Sequence, residues 1–176
     1  MRAIVELIKT YNVNVQRYDA LIKELVRQHA DYEIVASLPG SAELSHARLI
    51  AALGDDRTQY ENATSLQNAS GISPITTQSG TTRIVSSRWA CSKFMKQTFH
   101  EYAGLSIEKS KWAKAYYDAQ RAKGKSAQMA KRSLAYKWQR IIFRCWQDRQ
   151  PYDEARYIAS LRQANSPLIT LIDQAD

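Results

Sequence analysis

Cysteine is nearly missing from this chain: Cys91 and Cys145 are the whole complement, 54 positions apart and with no Cys-x-x-Cys pair. That excludes a disulfide framework and a cysteine zinc site, and leaves both residues as expected buried small hydrophobes. Glycine and proline are also scarce, 6 and 4 of 176 residues, while 44% of the chain is hydrophobic and 10% aromatic. Collagen-like, low-complexity and wholly disordered readings fall away, and a folded chain remains. No apolar run approaches the roughly 20 residues that span a bilayer. Arg2, Glu6 and Lys9 stand where a signal peptide needs an unbroken apolar centre, so a cytoplasmic protein without membrane attachment is expected.

Negative charge is scarce in one stretch. From Arg83 to Arg144 there are 15 Lys or Arg against Glu101, Glu108 and Asp118, so this block carries +12 of a chain whose net charge is +8. Trp89, Trp112, Tyr116, Tyr117 and Trp138 are interleaved with the cations. Such a block suits a surface that neutralises phosphates and offers rings for stacking or packing. An acidic protein surface, a membrane surface or plain solvation of helix faces are the other uses open to it.

Residues 1–37 contain no Gly or Pro, and Ile4, Ile8, Tyr11, Val15, Tyr18, Ile22, Leu25, His29 and Tyr32 recur in alternating steps of four and three. This heptad seam predicts a coiled-coil arm of about 50 Å, pairing with another copy or with a helix elsewhere. Pro39-Gly40 breaks the arm, and Ser45 to Leu53 reads as a short helix stopped by Gly54. A Leu38-Pro39-Gly40 turn between helices has the pattern of a helix-hairpin-helix element, whose turn aims backbone N–H groups at a phosphate. The same turn also serves as a plain helix terminator, and Ala42 stands where such hairpins usually carry a second glycine.

Asp55 to Thr82 reads as a polar, loop-rich segment with a short helical stretch around Ala63 to Ala69. Helices are expected over Arg88 to Tyr102, Ile107 to Lys123 and Ala127 to Asp148. In the last, Leu134, Trp138, Ile141, Ile142 and Cys145 form the inward face. The tail reads as a short helix and a frayed end. The expected fold is all-α, with an arm over 1–37, a compact helical domain over 38–150 and a tail over 151–176. Asp55 and Asp56 read as turn or capping residues, and no metal site is expected.

Several motifs occur together and in order: Leu38-Pro39-Gly40, Ala51 to Arg57, Gly71-Ile72-Ser73-Pro74, Ser79-Gly80, Arg88-Trp89-Ala90-Cys91, Gln97 to Glu101, Ala115-Tyr116-Tyr117, Lys123-Gly124-Lys125 and Lys137-Trp138 through Pro151 to Tyr157. Over roughly residues 1–165, the chain resembles the C-terminal part of a DEDD-type insertion-sequence transposase, the group guided by a bridge RNA. The resemblance implies an N-terminal RuvC-like domain, whose four acids would hold Mg²⁺, lying outside this chain. It further implies DNA and a guide RNA as partners, a homo-oligomer through the coiled coil, and a composite active site. By motif position Ser79 is the implied nucleophile, followed by Gly80. Gly40, Gly80, Arg83, Arg88, Lys93 and Lys96 are the implied nucleic-acid-binding residues. Thr81, Thr82, Arg83 and Ile84 depart from the more basic stretch usual after Ser-Gly. The implied function is DNA transposition, with the isolated chain binding nucleic acid and self-associating without catalysis. A non-enzymatic nucleic-acid-binding or regulatory fragment is the alternative, and a helical interaction module a third.

Overall fold

The computed structural model describes residues 2–173, which are mostly helical. The helices are α1 (Arg2–Arg27), α2 (Tyr32–Ala36), α3 (Glu43–Leu53), α4 (Ala63–Ala69), α5 (Lys93–Ser106), α6 (Lys111–Ala122), α7 (Ala127–Asp148), α8 (Glu154–Gln163) and α9 (Pro167–Asp173), with one 3₁₀ turn at Arg57–Gln59. The fold is mostly helical, as expected, with one small two-stranded sheet among the described residues. Strands β1 (Ile75–Ser79) and β2 (Thr82–Ser86) pair antiparallel, β1 inside the segment expected to be a loop and β2 starting at its last residue. Thr76, Thr77, Thr82, Ile84 and Val85 are β-branched, and the Gly80-Thr81 pair between the strands closes the hairpin. Gly80 has φ +57° at the first central position, the requirement of a type II′ turn.

Side-chain caps set several helix starts. Ser92, Ser110 and Ser126 each accept a hydrogen bond from the backbone N–H three residues on, opening α5, α6 and α7. This is why α5 begins at Lys93 and α6 at Lys111, each later than periodicity alone suggests. The arm is shorter than 37 residues as one helix, because α1 ends at Arg27. Just beyond it, the His29 ring accepts from the Asp31 backbone N–H at 3.0 Å. The buried Asp31 carboxylate then accepts from the Arg57 guanidinium and from Trp146 Nε1, tying the break to the core. The tail is also more ordered than expected within the described residues: Pro167 opens α9, which packs on α6 and buries Leu168 and Ile172.

The core is aromatic. Trp112, Trp138, Trp146, Tyr102 and Phe99 are fully buried, and α7 runs through the centre against α4, α5 and α6. Leu134, Trp138 and Ile142 point inward as expected, whereas Ile141 and Cys145 are only partly buried. Trp112 and Trp138 lie 4.6 Å apart between ring centroids. Their indole N–H groups donate to Tyr152 Oη at 2.8 Å and Ser106 Oγ at 2.7 Å, so neither polar edge is buried unpaired. Both cysteines are free thiols and partly buried.

The Leu38-Pro39-Gly40 turn is packed against the end of α5. Gly40 has φ +77°, and a Cβ there would lie 2.5 Å from the Leu105 carbonyl oxygen, whereas a Cβ on Gly80 would meet nothing within 4 Å. Gly40→Ala is therefore expected to destabilise the fold by about 2 kcal/mol or more, combining the left-handed backbone penalty with a backbone clash. Gly80→Ala carries the conformational penalty alone, about 1 kcal/mol. Urea denaturation of the two variants checks this; equal losses would contradict the packing role of Gly40.

Candidate functional site

Ser79 ends β1 and faces Thr82 across the turn. The register places Gln78 opposite Arg83. Because side chains alternate across a strand, Ser79, Thr82, Thr77 and Ile84 share one face, and Gln78 and Arg83 the other. Every residue of both strands is exposed, on both faces. Among the described residues, the Ser79 hydroxyl makes no hydrogen bond. The hairpin thus presents a serine hydroxyl at its tip with open space around its glycine. A two-stranded hairpin with Ile84 and Val85 about 60% exposed is marginal by itself in water, and gains stability from whatever surface covers it.

The expected cationic residues separate into two groups. Arg83 projects from the hairpin, and Lys93 is exposed at the start of α5. Arg88 turns into the body instead: its guanidinium donates to Asn68 Oδ1 at 3.2 Å, and its carbonyl accepts from Lys96 Nζ at 3.5 Å. Arg132, from α7, donates to Ser87 Oγ at 2.6 Å. Arg88, Lys96 and Arg132 therefore anchor the base of the hairpin, and Arg132 is an anchor the sequence reading missed. Its signal was limited to one more charge on an amphipathic helix. Trp89, beside this base, is 91% exposed, unlike Trp112 and Trp138.

At the Leu38-Pro39-Gly40 turn, Gly40 is partly buried, and α3 begins at Glu43 after Ala42, an N-cap residue that makes no side-chain cap. Glu43, in the first turn, pairs with Lys23 and Arg27 of α1; the Arg27 hydrogen bond holds its carboxyl below the ordinary range. His46 is nearly buried beneath this turn, and its pKa is lowered by burial. His100 packs between α5 and α7, with Nε2 3.4 Å from the Gln128 carbonyl oxygen and its pKa lowered, mainly by burial.

Asp55 pairs with His29 at 3.1 Å, and Asp56 accepts from the Thr58 backbone and hydroxyl at 2.8 and 2.6 Å. Those hydrogen bonds lower the Asp56 pKa and mark it as a capping residue. Among the described residues, no group of three or more His, Cys, Asp or Glu could hold a metal ion. No helix is long and apolar enough to cross a membrane among the described residues.

Comparison with known proteins gives this arrangement a context. Residues 32–118, from α2 through most of α6 and including the hairpin, match the family model described as Transposase IS116/IS110/IS902 family. A Streptomyces coelicolor protein assigned as the IS117 mini-circle transposase is 34% identical over 143 residues, covering 81% of this chain and 34% of the relative. The 42 kDa protein of insertion element IS900 from Mycobacterium paratuberculosis is 28% identical over 145 residues, covering 81% of this chain and 36% of the relative. The chain spans about a third of the length of these two relatives. The hairpin-bearing region is thus similar to the transposase IS116/IS110/IS902 family, and two insertion-element proteins align across most of the chain.

Proposed function

We propose that the chain is the DNA-binding, C-terminal part of an insertion-sequence transposase and supplies Ser79 as nucleophile to a composite active site. The observation that carries the reading is the serine hydroxyl at the tip of an exposed hairpin, within a region that matches a transposase family. Attack of Ser79 Oγ on a DNA phosphodiester would form an ester to the serine and release one deoxyribose hydroxyl, which takes up a proton. The phosphoester linkage is conserved, so a second hydroxyl can later displace the serine and rejoin the strand. An exposed hairpin suits this role because the hydroxyl must reach in line with the leaving oxygen. Proton removal and charge stabilisation would come from the acidic domain outside this chain, which is also where Mg²⁺ belongs on this reading.

Arg83, Lys93 and Gly80 are proposed to lie along the DNA backbone. The Gly40 turn is proposed as a hairpin element whose phosphate contact would come from the uncapped start of α3. A guide RNA would specify sequence by pairing, leaving the protein to hold backbone. The isolated chain is proposed to bind without cleaving, in the cytoplasm. The test is strand transfer by the full-length protein that contains this segment, with and without Ser79, alongside nucleic-acid binding by the isolated chain. Binding whose log affinity does not fall with log salt would overturn the nucleic-acid reading.

We also propose self-association through α1. Ile4, Ile8, Tyr11, Val15, Tyr18 and Leu25 are 53–66% exposed on this helix, and only Val26 is buried. A seam of that width gains stability when paired. Ile8→Glu with Val15→Glu is expected to shift the chain to monomer in sedimentation velocity without changing its core. An unchanged sedimentation coefficient would refute the pairing.

A further inference from the structure

A groove of about 1010 Å³ opens between α6, the C-terminal half of α7 and α8, and no residue of β1 or β2 lines it. Its wall carries the rings of Tyr116, Tyr136, Phe143 and Tyr157, all partly buried. Tyr157 is held from behind by the core, its ring centroid 5.0 Å from that of Trp112 and 6.4 Å from that of Tyr152. Lys137, Arg140, Arg144 and Arg156 also line the groove. Lys137, Arg140 and Arg144 follow one another at i, i+3 and i+7 along α7, which keeps them on one stripe over two turns.

The acids nearby neutralise only the Arg144 end of this stripe. Asp148 lies 3.5 Å from Arg144, and Asp153 accepts from the Arg156 backbone N–H, capping α8. Among the described residues, Lys137, Arg140 and Arg156 have no carboxylate within salt-bridge distance. Lys137 is partly buried, with Nζ 4.8 Å from the Tyr116 ring centroid. Burial, then the Arg140 charge, lower its pKa. Holding a cation there is costly, and an anion in the groove would relieve that cost. Cys145 contributes no nucleophile: burial pushes its thiol up to about 11.

We propose that this groove binds an unpaired nucleotide of a single-stranded or looped nucleic acid, its phosphate on Lys137 and Arg140 and its base against the tyrosine wall. Cations beside flat π faces match the two chemistries a nucleotide carries, whereas an acidic peptide uses only the first. A base-paired duplex keeps its base faces stacked inside, so the ligand is unpaired. The proposal deepens the nucleic-acid reading and rests on it, but it does not depend on Ser79.

The test is fluorescence anisotropy of the 176-residue chain with a labelled 12-nucleotide oligothymidylate and with a blunt 24-base-pair duplex. Lys137→Gln with Arg140→Gln is expected to weaken oligothymidylate binding about tenfold and to lower the log–log salt slope by about 0.7 per phosphate lost. Duplex binding should change less than twofold. Tyr136→Leu is expected to weaken oligothymidylate binding about fivefold or more at an unchanged salt slope, as loss of stacking does. Arg140→Gln alone, at an exposed position, keeps the test readable should the double variant lose helicity by circular dichroism. Equal losses on both probes, or none on the oligothymidylate, would overturn the groove proposal while leaving nucleic-acid binding intact. Displacement of oligothymidylate from the groove by poly-glutamate of equal charge, with no effect of Tyr136→Leu, would point to an acidic protein partner and also overturn it. An unmodified chain that binds neither probe removes both readings together.

Discussion

Ser79→Ala in the full-length protein is expected to reduce strand transfer at least about a thousandfold, to the background of the assay, because removing the proposed nucleophile leaves no route to the covalent intermediate. Binding of nucleic acid should stay within twofold. The side chain is exposed and makes no hydrogen bond among the described residues, and its neighbour across the turn, Thr82, is exposed as well. Deleting one oxygen there should leave the fold's stability within about 0.5 kcal/mol. Denaturing gels of protein with end-labelled DNA give the sharper readout: a covalent adduct with the unmodified protein and none with the alanine variant. An adduct that survives Ser79→Ala would assign the nucleophile elsewhere, and Thr82, on the same hairpin face, would then be the next position to change.

Trp138→Ala is expected to destabilise the chain by about 4 kcal/mol. The indole is completely buried, 4.6 Å from Trp112 and 5.2 Å from both Tyr102 and Tyr152 between ring centroids. Truncation would open a cavity at the meeting point of α5, α6 and α7, and would leave the buried Ser106 hydroxyl without the indole N–H. Against a typical domain stability of about 5–15 kcal/mol, that loss unfolds a visible fraction of molecules at growth temperature. Trp89→Ala, at a 91% exposed position, should change stability by less than about 0.5 kcal/mol. Urea denaturation of the pair checks the contrast; similar midpoints would contradict the placement of Trp138 at the centre of the core.

How far each element could be read in advance depended on whether its signal was local. The boundaries of α7 match its sequence reading end for end, because a capping Ser126, an amphipathic repeat and the residues before Pro151 all lie within the segment. The hairpin did not show itself in the same way. Its strands bury neither face, so the apolar-polar alternation that marks a half-buried strand is missing, and Thr-rich polarity resembles a loop. The two-residue Gly80-Thr81 connection was the available clue. Ser79 was singled out only through resemblance, since it is one of sixteen serines and nothing in its neighbours marks it as activated.

Helical content, the amphipathic face of α1, the basic block and the extent of α7 were determined by the sequence itself, because each arises from residues a few positions apart. Other features were decided only when distant segments packed. The arm breaks after Arg27 because Asp31 is claimed by Arg57 and by Trp146, 115 positions away. Arg88 and Arg132 become anchors of the hairpin rather than free cations for the same reason. The groove exists because Arg149 takes a left-handed conformation, φ 53°, at the end of α7, and Tyr152 is buried beyond it, turning α8 back beside its cationic stripe. Periodicity determines which face of a helix is apolar; the partner that covers it is chosen by shape and burial over the whole chain.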